Sequence, residues 1–289
     1  MIAWKQPLAG FEWLIHQVWY LEVPADVVID PKPHLIPNPR SHLLFTPPAQ
    51  PYHYSFGDNQ MTGVGCHLLA PNEHLLLLDD HAPLKRIGIT FRPEGLYLLN
   101  ENAVSINRCG WTPMPNEMFG LEFQARLWEV MSGTEVTRLD EGYTVTIDGQ
   151  RAALLALLEE YFQQLSLETK KDRAFLIAQT VTLEMDKNAD VTIEQLVTCC
   201  ACSRRTLERS FKQVTGLSLK QYQQMNRLEH IVLALYGQGH AIDWTELSHQ
   251  FGFSDQSHLI RTLKKQLNKT PSKYLKSRDL TIDIYGDFE

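Results

Sequence analysis

The period of the hydrophobic pattern changes along this chain. Between residues 11 and 100, short apolar or alternating runs recur at 11–21, 42–46, 67–70, 74–78 and 86–91. Turn formers lie between them: Pro31-Lys32-Pro33, Pro37-Asn38-Pro39, Pro47-Pro48 and Gly57-Asp58-Asn59. Closely spaced short runs with Pro- and Gly-rich turns predict a mainly antiparallel β barrel or sandwich. A helix-like piece, Leu96-Tyr97-Leu98-Leu99, follows the last run. Over 151–166 the period becomes helical, with Leu154, Leu155, Leu158, Tyr161 and Phe162 on one face and Leu157 widening it. That stripe can pack on the β half or against its copy in another chain. The polar break Lys170-Lys171-Asp172 predicts a boundary between domains 1–168 and 169–289.

From Asp172 to Tyr274 nearly every segment reads as helix. Residues 174–185 have the spacing of a buried helix. Thr192-Ile193-Glu194-Gln195 is a capping box, opening the helix that carries Leu196 and Val197. After Cys199-Cys200-Ala201-Cys202, Ser203 is positioned to cap a second helix. There Leu207 and Phe211 face inward, and Arg205, Glu208 and Arg209 face outward. Downstream, Gly252 suits a positive φ that closes a helix, and Ser254 is the expected N-cap of the next. Leu259 and Leu263 form its buried stripe; Gln256, Ser257, Ile260 and Arg261 lie opposite.

The pattern occurs twice. At an offset of fifty-two residues Leu207 matches Leu259, Arg209 matches Arg261, Phe211 matches Leu263 and Tyr222 matches Tyr274. Leu196 and Leu207 are eleven residues apart, whereas Leu247 and Leu259 are twelve apart, so the two turns differ in length. A long helix over 221–236, with Met225, Leu228, Val232 and Leu235, joins the units. The predicted fold class is therefore α+β in two domains. The second domain is all-α, with helix-turn-helix units at about 192–213 and 243–265.

Exposed guanidinium, amide and carboxylate groups on such helices can read base edges in a major groove. The candidate base readers are Arg205, Glu208 and Arg209 in one unit and Gln256, Ser257 and Arg261 in the other. Lys212, Lys264, Lys269 and Lys273, with the helix starts at Ser203 and Ser254, are the candidate phosphate contacts. The net charge of −7 conceals an asymmetry that fits this. Residues 1–168 hold ten Lys/Arg against twenty Asp/Glu, residues 169–278 hold seventeen against ten, and the last eleven add four acids. A basic module joined to an acidic one is compatible with double-stranded DNA as partner.

Other chemistries find less support. No apolar run approaches a membrane span, the first residues lack a signal-peptide pattern, and five cysteines form no paired framework, so a cytoplasmic protein is expected. His34, His42, His53, His67, His74 and His81 include no H-x-H pair, so no metal site is assigned. No H-E-x-x-H, G-x-S-x-G or P-loop motif occurs, so no catalytic residue, enzyme activity or cofactor is assigned. Arg92, beside a tight turn, is expected to pair with a structural carboxylate rather than an anionic ligand. Cys199, Cys200 and Cys202 are expected to be small buried residues at a turn rather than a metal or redox site.

A doubled helix-turn-helix of this length resembles the AraC/XylS family of bacterial transcription regulators. The resemblance covers about residues 175–278. Its strongest parts are Gly252-Phe253-Ser254-Asp255-Gln256-Ser257-His258-Leu259 and Thr270-Pro271-Ser272-Lys273-Tyr274. Ser203 to Lys212, Thr215-Gly216-Leu217-Ser218, Tyr222 and Arg227-Leu228 also match. Asn268, Leu263 and Ser248 depart from the pattern without removing an expected DNA contact. The resemblance implies recognition helices in successive major grooves on one face of the DNA. It also implies a sensor in the N-terminal half, which is only loosely similar to the family's variable sensor halves. The expected function is sequence-specific transcription regulation under a small-molecule effector, whose binding residues are unknown. A protein partner acting on the N-terminal half is the alternative controller. RNA polymerase and a second copy, joined through the N-terminal domain or helix 151–166, are further candidate partners.

Overall fold

A computed structural model describes residues 2–29, 32–99, 114–115, 119–132, 136–139, 142–145, 147–188, 191–237 and 242–276. The first half supplies strands β1 (Ile2–Gln6), β2 (Ile15–Val23), β3 (His34–Leu35), β4 (His42–Phe45), β5 (Tyr52–Phe56) and β6 (Asn59–Gly63). It continues with β7 (Cys66–Leu69), β8 (Leu76–Leu78), β9 (Leu84–Phe91), β10 (Met114–Pro115), β11 (Val136–Leu139) and β12 (Gly142–Val145). One sheet runs β1-β2-β9-β4-β7-β10 and a second runs β3-β8-β5-β6, while β11 and β12 form a separate hairpin. All strand pairings among the described residues are antiparallel.

The central strands β2, β9, β4 and β7 of the six-stranded sheet are buried on both faces. Trp19, Leu21, Leu44, Leu69 and Leu84 pack with Tyr52, Tyr54, Leu76 and Leu78 of the second sheet. Their strand neighbours Val18, Tyr20, Leu43, Leu68, Ile87 and Ile89 point the other way, into a core shared with helices. Alternate positions serve different cores, so these strands read as continuous apolar runs. Gly88 lies opposite Trp19, and a Cβ there would collide with the indole.

The helices are α1 (Gly95–Leu99), α2 (Leu121–Ser132), α3 (Ile147–Gln164), α4 (Arg173–Lys187) and α5 (Ile193–Cys199). They continue as α6 (Arg204–Thr215), α7 (Leu219–Gly237), α8 (Trp244–Gln250), α9 (Gln256–Leu267) and α10 (Pro271–Lys276). None of the described helices is long and apolar enough to cross a membrane. Where the polar break was expected, a short 3-10 turn, Leu167–Lys170, leads to Asp172, whose carboxylate accepts from the Phe175 amide and starts α4.

Secondary structure changes at that point, but packing does not. Leu154, Leu158 and Phe162 of α3 share one apolar cluster with Phe175 and Val181 of α4 and Leu207 and Phe211 of α6. The leucine stripe of α3 is thus buried within the chain's own core, the first of its two predicted uses. A separate cluster joins Ile36 of the β half to Leu228, Val232, Leu247, Leu259 and Leu263. Each such side chain, fully buried, contributes about 1.5–3 kcal/mol.

Several expected boundaries move. The first apolar run becomes β2 only from Ile15, because Phe11 to Leu14 are folded into a turn by the bonds Phe11 N to Leu8 O and Leu14 N to Phe11 O. Strand β1 and the β5–β6 hairpin carry no marked apolar run. They were missed for that reason, although the turn at Gly57 was expected. Arg92 donates Nε–H to the Glu12 carbonyl at 2.6 Å and lies 3.8 Å from Asp186. His42 and His67 are buried and bonded to the Thr90 and Tyr54 hydroxyls.

Candidate nucleic-acid interface

The first unit is built by capping. Thr192 N–H donates to Gln195 Oε1 at 2.8 Å, and Gln195 N–H donates back to Thr192 Oγ1 at 3.2 Å. Helix α5 then stops because Ala201 takes a left-handed conformation, φ 45°, which lets Cys202 N–H reach back to the Val197 carbonyl. Ser203 accepts from the Thr206 amide, and α6 begins. Leu207, Ser210, Phe211 and Val214 are its buried side. Arg205, Glu208, Arg209 and Lys212 are exposed on the other. Gly216, φ 75°, ends it.

The second unit repeats this layout with different capping and turn residues. Asp243 caps α8 by accepting from the Thr245 and Glu246 amides, both at 2.9 Å. Gly252, φ 62°, takes the place of Ala201, and Phe253 N–H bonds the Ser248 carbonyl as Cys202 bonds Val197. The units are in register to this point at an offset of fifty-one, as 197 to 248 and 202 to 253. One more residue then intervenes. The expected N-cap at Ser254 is therefore corrected: Asp255 caps α9, accepting from His258 N–H at 2.8 Å, and Ser254 bonds Asp255 and the His258 ring instead. A carboxylate accepts the orphan amide more strongly than a hydroxyl does, and the longer turn brings it to the cap position. Its amide bonds, first that of His258, hold the Asp255 carboxyl below its ordinary range.

On α9, Leu259, Leu263 and Leu267 are buried, while Gln256, Ser257, Arg261 and Lys264 are exposed. Asn268 closes α9 with φ 52°, the conformation Gly216 takes after α6. Arg227 of α7 stacks 4.1 Å above the Phe253 ring, fastening the second turn to the joining helix. Tyr222 meets Phe211 edge-on at 5.4 Å, fastening the first unit to the same helix.

All six candidate base readers are exposed, three on each recognition helix. Glu208 is engaged with Arg204, Nε to Oε1 2.9 Å, in a solvent-screened surface pair that is readily exchanged. Arg261 Nε–H donates to the Ser257 carbonyl of its own helix at 3.2 Å. Of the candidate phosphate contacts, Ser203, Lys212, Ser254, Lys264 and Lys273 are exposed. Lys269 is half-buried and close enough to His34 that its charge, after burial, helps lower that imidazole to about 4. The expectation for the cysteines needs one correction. Cys199 is exposed and only Cys200 and Cys202 pack against the core, because Cys199 lies on the outer face of the last turn of α5. Burial, then its neighbouring thiols, push the Cys200 thiol up to about 11.

The contacts between the halves were not found from the sequence. Arg40, after Asn38 in a Pro-rich turn, meets Glu229 of α7; the side chains are 9% and 4% exposed. Thr182 of α4 bonds Glu94, and Tyr97 of α1 bonds both Asp172 and Gln213. One signal was available: Glu229 sits four residues after Met225 and three before Val232, on the buried stripe of α7. A charge there requires a partner.

Residues 196–277 match a family model described as "Helix-turn-helix domain". Over 128 residues the chain is 29% identical to the HTH-type transcriptional activator RhaS of Escherichia coli (strain SE11), covering 44% of each protein. It is 26% identical over 98 residues to the probable transcription factor PqrA of Proteus vulgaris, covering 34% of this chain and 79% of PqrA. The chain thus spans less than half the length of RhaS in that match. A structure of ToxT from Vibrio cholerae is similar to it with 12% identity and a TM-score of 0.46, covering 96% of this chain and 99% of that one. The class the geometry defines is a paired helix-turn-helix reader. More particularly, the C-terminal part of this chain is a helix-turn-helix domain of the AraC/XylS type.

Proposed function

We propose that this protein is a sequence-specific DNA-binding transcription regulator whose N-terminal half controls the reading domain. The observation that carries this is the repetition of one exposed polar face, Arg205-Glu208-Arg209 and Gln256-Ser257-Arg261, on two helices held by one joining helix. A guanidinium bonds guanine in two places, an amide does the same to adenine, and a carboxylate accepts from cytosine. Lys212, Lys264, Lys269 and Lys273 lie near these faces and would contact phosphate. Selecting fragments of genomic DNA with the full chain tests the reading. A shared sequence with two half-sites about one helical turn apart is the expected result, and recovery of random fragments overturns it.

Control by a small molecule is the finer part of the proposal. An open cleft of about 330 Å³ between α2 and α3, lined by Phe123, Arg126, Leu157, Glu160 and Tyr161, offers it a place. Control by a protein partner on the β half is the alternative. Mass spectrometry of the native protein separates them: a retained small molecule supports the first.

A further inference from the structure

Glu94 lies in the turn between β9 and α1 and is fully buried where the β half meets α4. Its Oε2 is 3.1 Å from the Thr182 hydroxyl, and its Oε1 has no hydrogen-bond partner among the described residues. Thr182 Oγ1 is also 3.0 Å from the Gln179 carbonyl. A hydroxyl has a single hydrogen. With Glu94 ionised, that hydrogen can serve one carboxylate oxygen at most, and the charged group keeps Oε1 unserved away from water, which is costly. With Glu94 protonated, the acid donates to the threonine oxygen, the threonine donates to Gln179, and both contacts are satisfied.

The surrounding groups leave this balance in place. Arg92, on the same turn, is engaged with the Glu12 carbonyl and lies 3.8 Å from Asp186 of α4. Asp186 accepts from the Tyr222 hydroxyl of α7 at 3.2 Å. Further along the seam Arg40 and Glu229 face each other, and His34 faces Lys269. Among the described residues, Arg92 is the cation that acts on Glu94, and it is matched by a second carboxylate, Asp186. Burial above all holds the Glu94 acid up to about 7, from an ordinary 4.5; its own backbone amide, Arg92 and Thr182 oppose the rise, and Asp186 adds to it.

We propose that this seam is a proton-operated joint: a neutral Glu94 docks the β half on α4, and ionisation of Glu94 loosens that docking and the hold of α1 on the first recognition helix. The route is short. Tyr97 of α1 donates to Asp172, the cap of α4, at 2.8 Å and accepts from Gln213 of α6 at 3.2 Å. The docked acid holds its proton more tightly than the undocked one. Docking is therefore fully favoured below pH 4.5, weakens about tenfold per pH unit as pH rises from there, and levels off above about 7.

Two measurements on the full chain test this. Carboxyl-carbon NMR of the wild-type protein reads Glu94 directly. A glutamate resonance with a midpoint near 7, displaced in Thr182→Val, is expected; every glutamate titrating near its ordinary value overturns the proposal, whether or not any variant folds. Hydrogen exchange of the α1 amides, corrected for intrinsic rate, is then compared between wild type and Glu94→Gln from pH 5 to 7. His34 and His42 titrate alike in both proteins and cancel in the comparison. Wild type is expected to lose about a hundredfold more protection than the variant over that range, and equal slopes overturn the proposal.

Discussion

The Arg40 guanidinium lies 2.6 and 2.7 Å from the two carboxylate oxygens of Glu229, a residue 189 positions further along the chain. The turn that carries Arg40 is itself fixed, with Arg40 N–H donating to Asn38 Oδ1 and Asn38 paired through its backbone with Asn72. Because Glu229 is on the helix joining the two reading units, this ion pair ties the β half to the element that orients them both.

Breaking a buried pair by removing one partner leaves an uncompensated charge. Arg40→Ala is expected to destabilise the protein by about 3–5 kcal/mol. Arg40→Met with Glu229→Leu is expected to recover most of that, since neither charge remains. Denaturant unfolding of the two variants makes the comparison, and a double variant as unstable as the single one contradicts it.

For DNA binding, the residue types predict different signatures. Arg261→Ala should cost roughly 1–3 kcal/mol at the specific site and little on random DNA. Lys273→Ala should weaken binding to every sequence and reduce the salt slope by roughly 0.9. Affinity titrations at several salt concentrations, on specific and random duplexes, distinguish the two. Equal losses for Arg261→Ala on both duplexes remove it from the base readers.

Acid should destabilise the β half through its histidines. Burial lowers His42 to about 3 and His67 to about 4, both from 6.5. The unfolded chain then takes up protons first as pH falls below 6.5, so stability declines from there toward the folded values of about 3 and 4. Unfolding of wild type and His67→Gln between pH 7 and pH 4 checks this, the variant having the shallower decline.

Ala201 holds a left-handed backbone, φ 45°, where the second unit has Gly252. A side chain in that conformation costs roughly 1–2 kcal/mol. Ala201→Gly is expected to raise stability by about 1 kcal/mol after the added chain entropy of glycine is subtracted. A fall in the thermal midpoint would show that the Ala201 methyl makes packing contacts that outweigh the strain.

The reading domain was legible because its signals are local. Thr192 and Gln195, Ser203, Gly216 and the Leu207/Leu259 register all act within a few residues, so spacing alone locates them. Ser254 misled because two adjacent residues can both cap, and the choice depends on a turn length that only the folded chain fixes. The β half was legible in outline. Its central strands have two buried faces and so lack the alternation that marks phase, and hairpin β5–β6 lacks a marked apolar run. The contacts of Arg40 with Glu229 and of Glu94 with Thr182 join residues far apart in the chain, and no local pattern encodes such a pairing. Glu229 on an apolar stripe announced that a partner exists, but not which one.

The apolar cluster that runs from the six-stranded sheet through α3 and α4 into α6 has a consequence for heredity. In a chain of loosely tethered modules, one half can be exchanged for a foreign one and the other still folds. Here Leu96 and Leu98 belong to the same core as Phe175, Leu207 and Phe211. A substitution on one side is felt by the other, so the two halves are bound to change together. A recombinant carrying an unrelated N-terminal half would inherit an uncovered apolar face along with it.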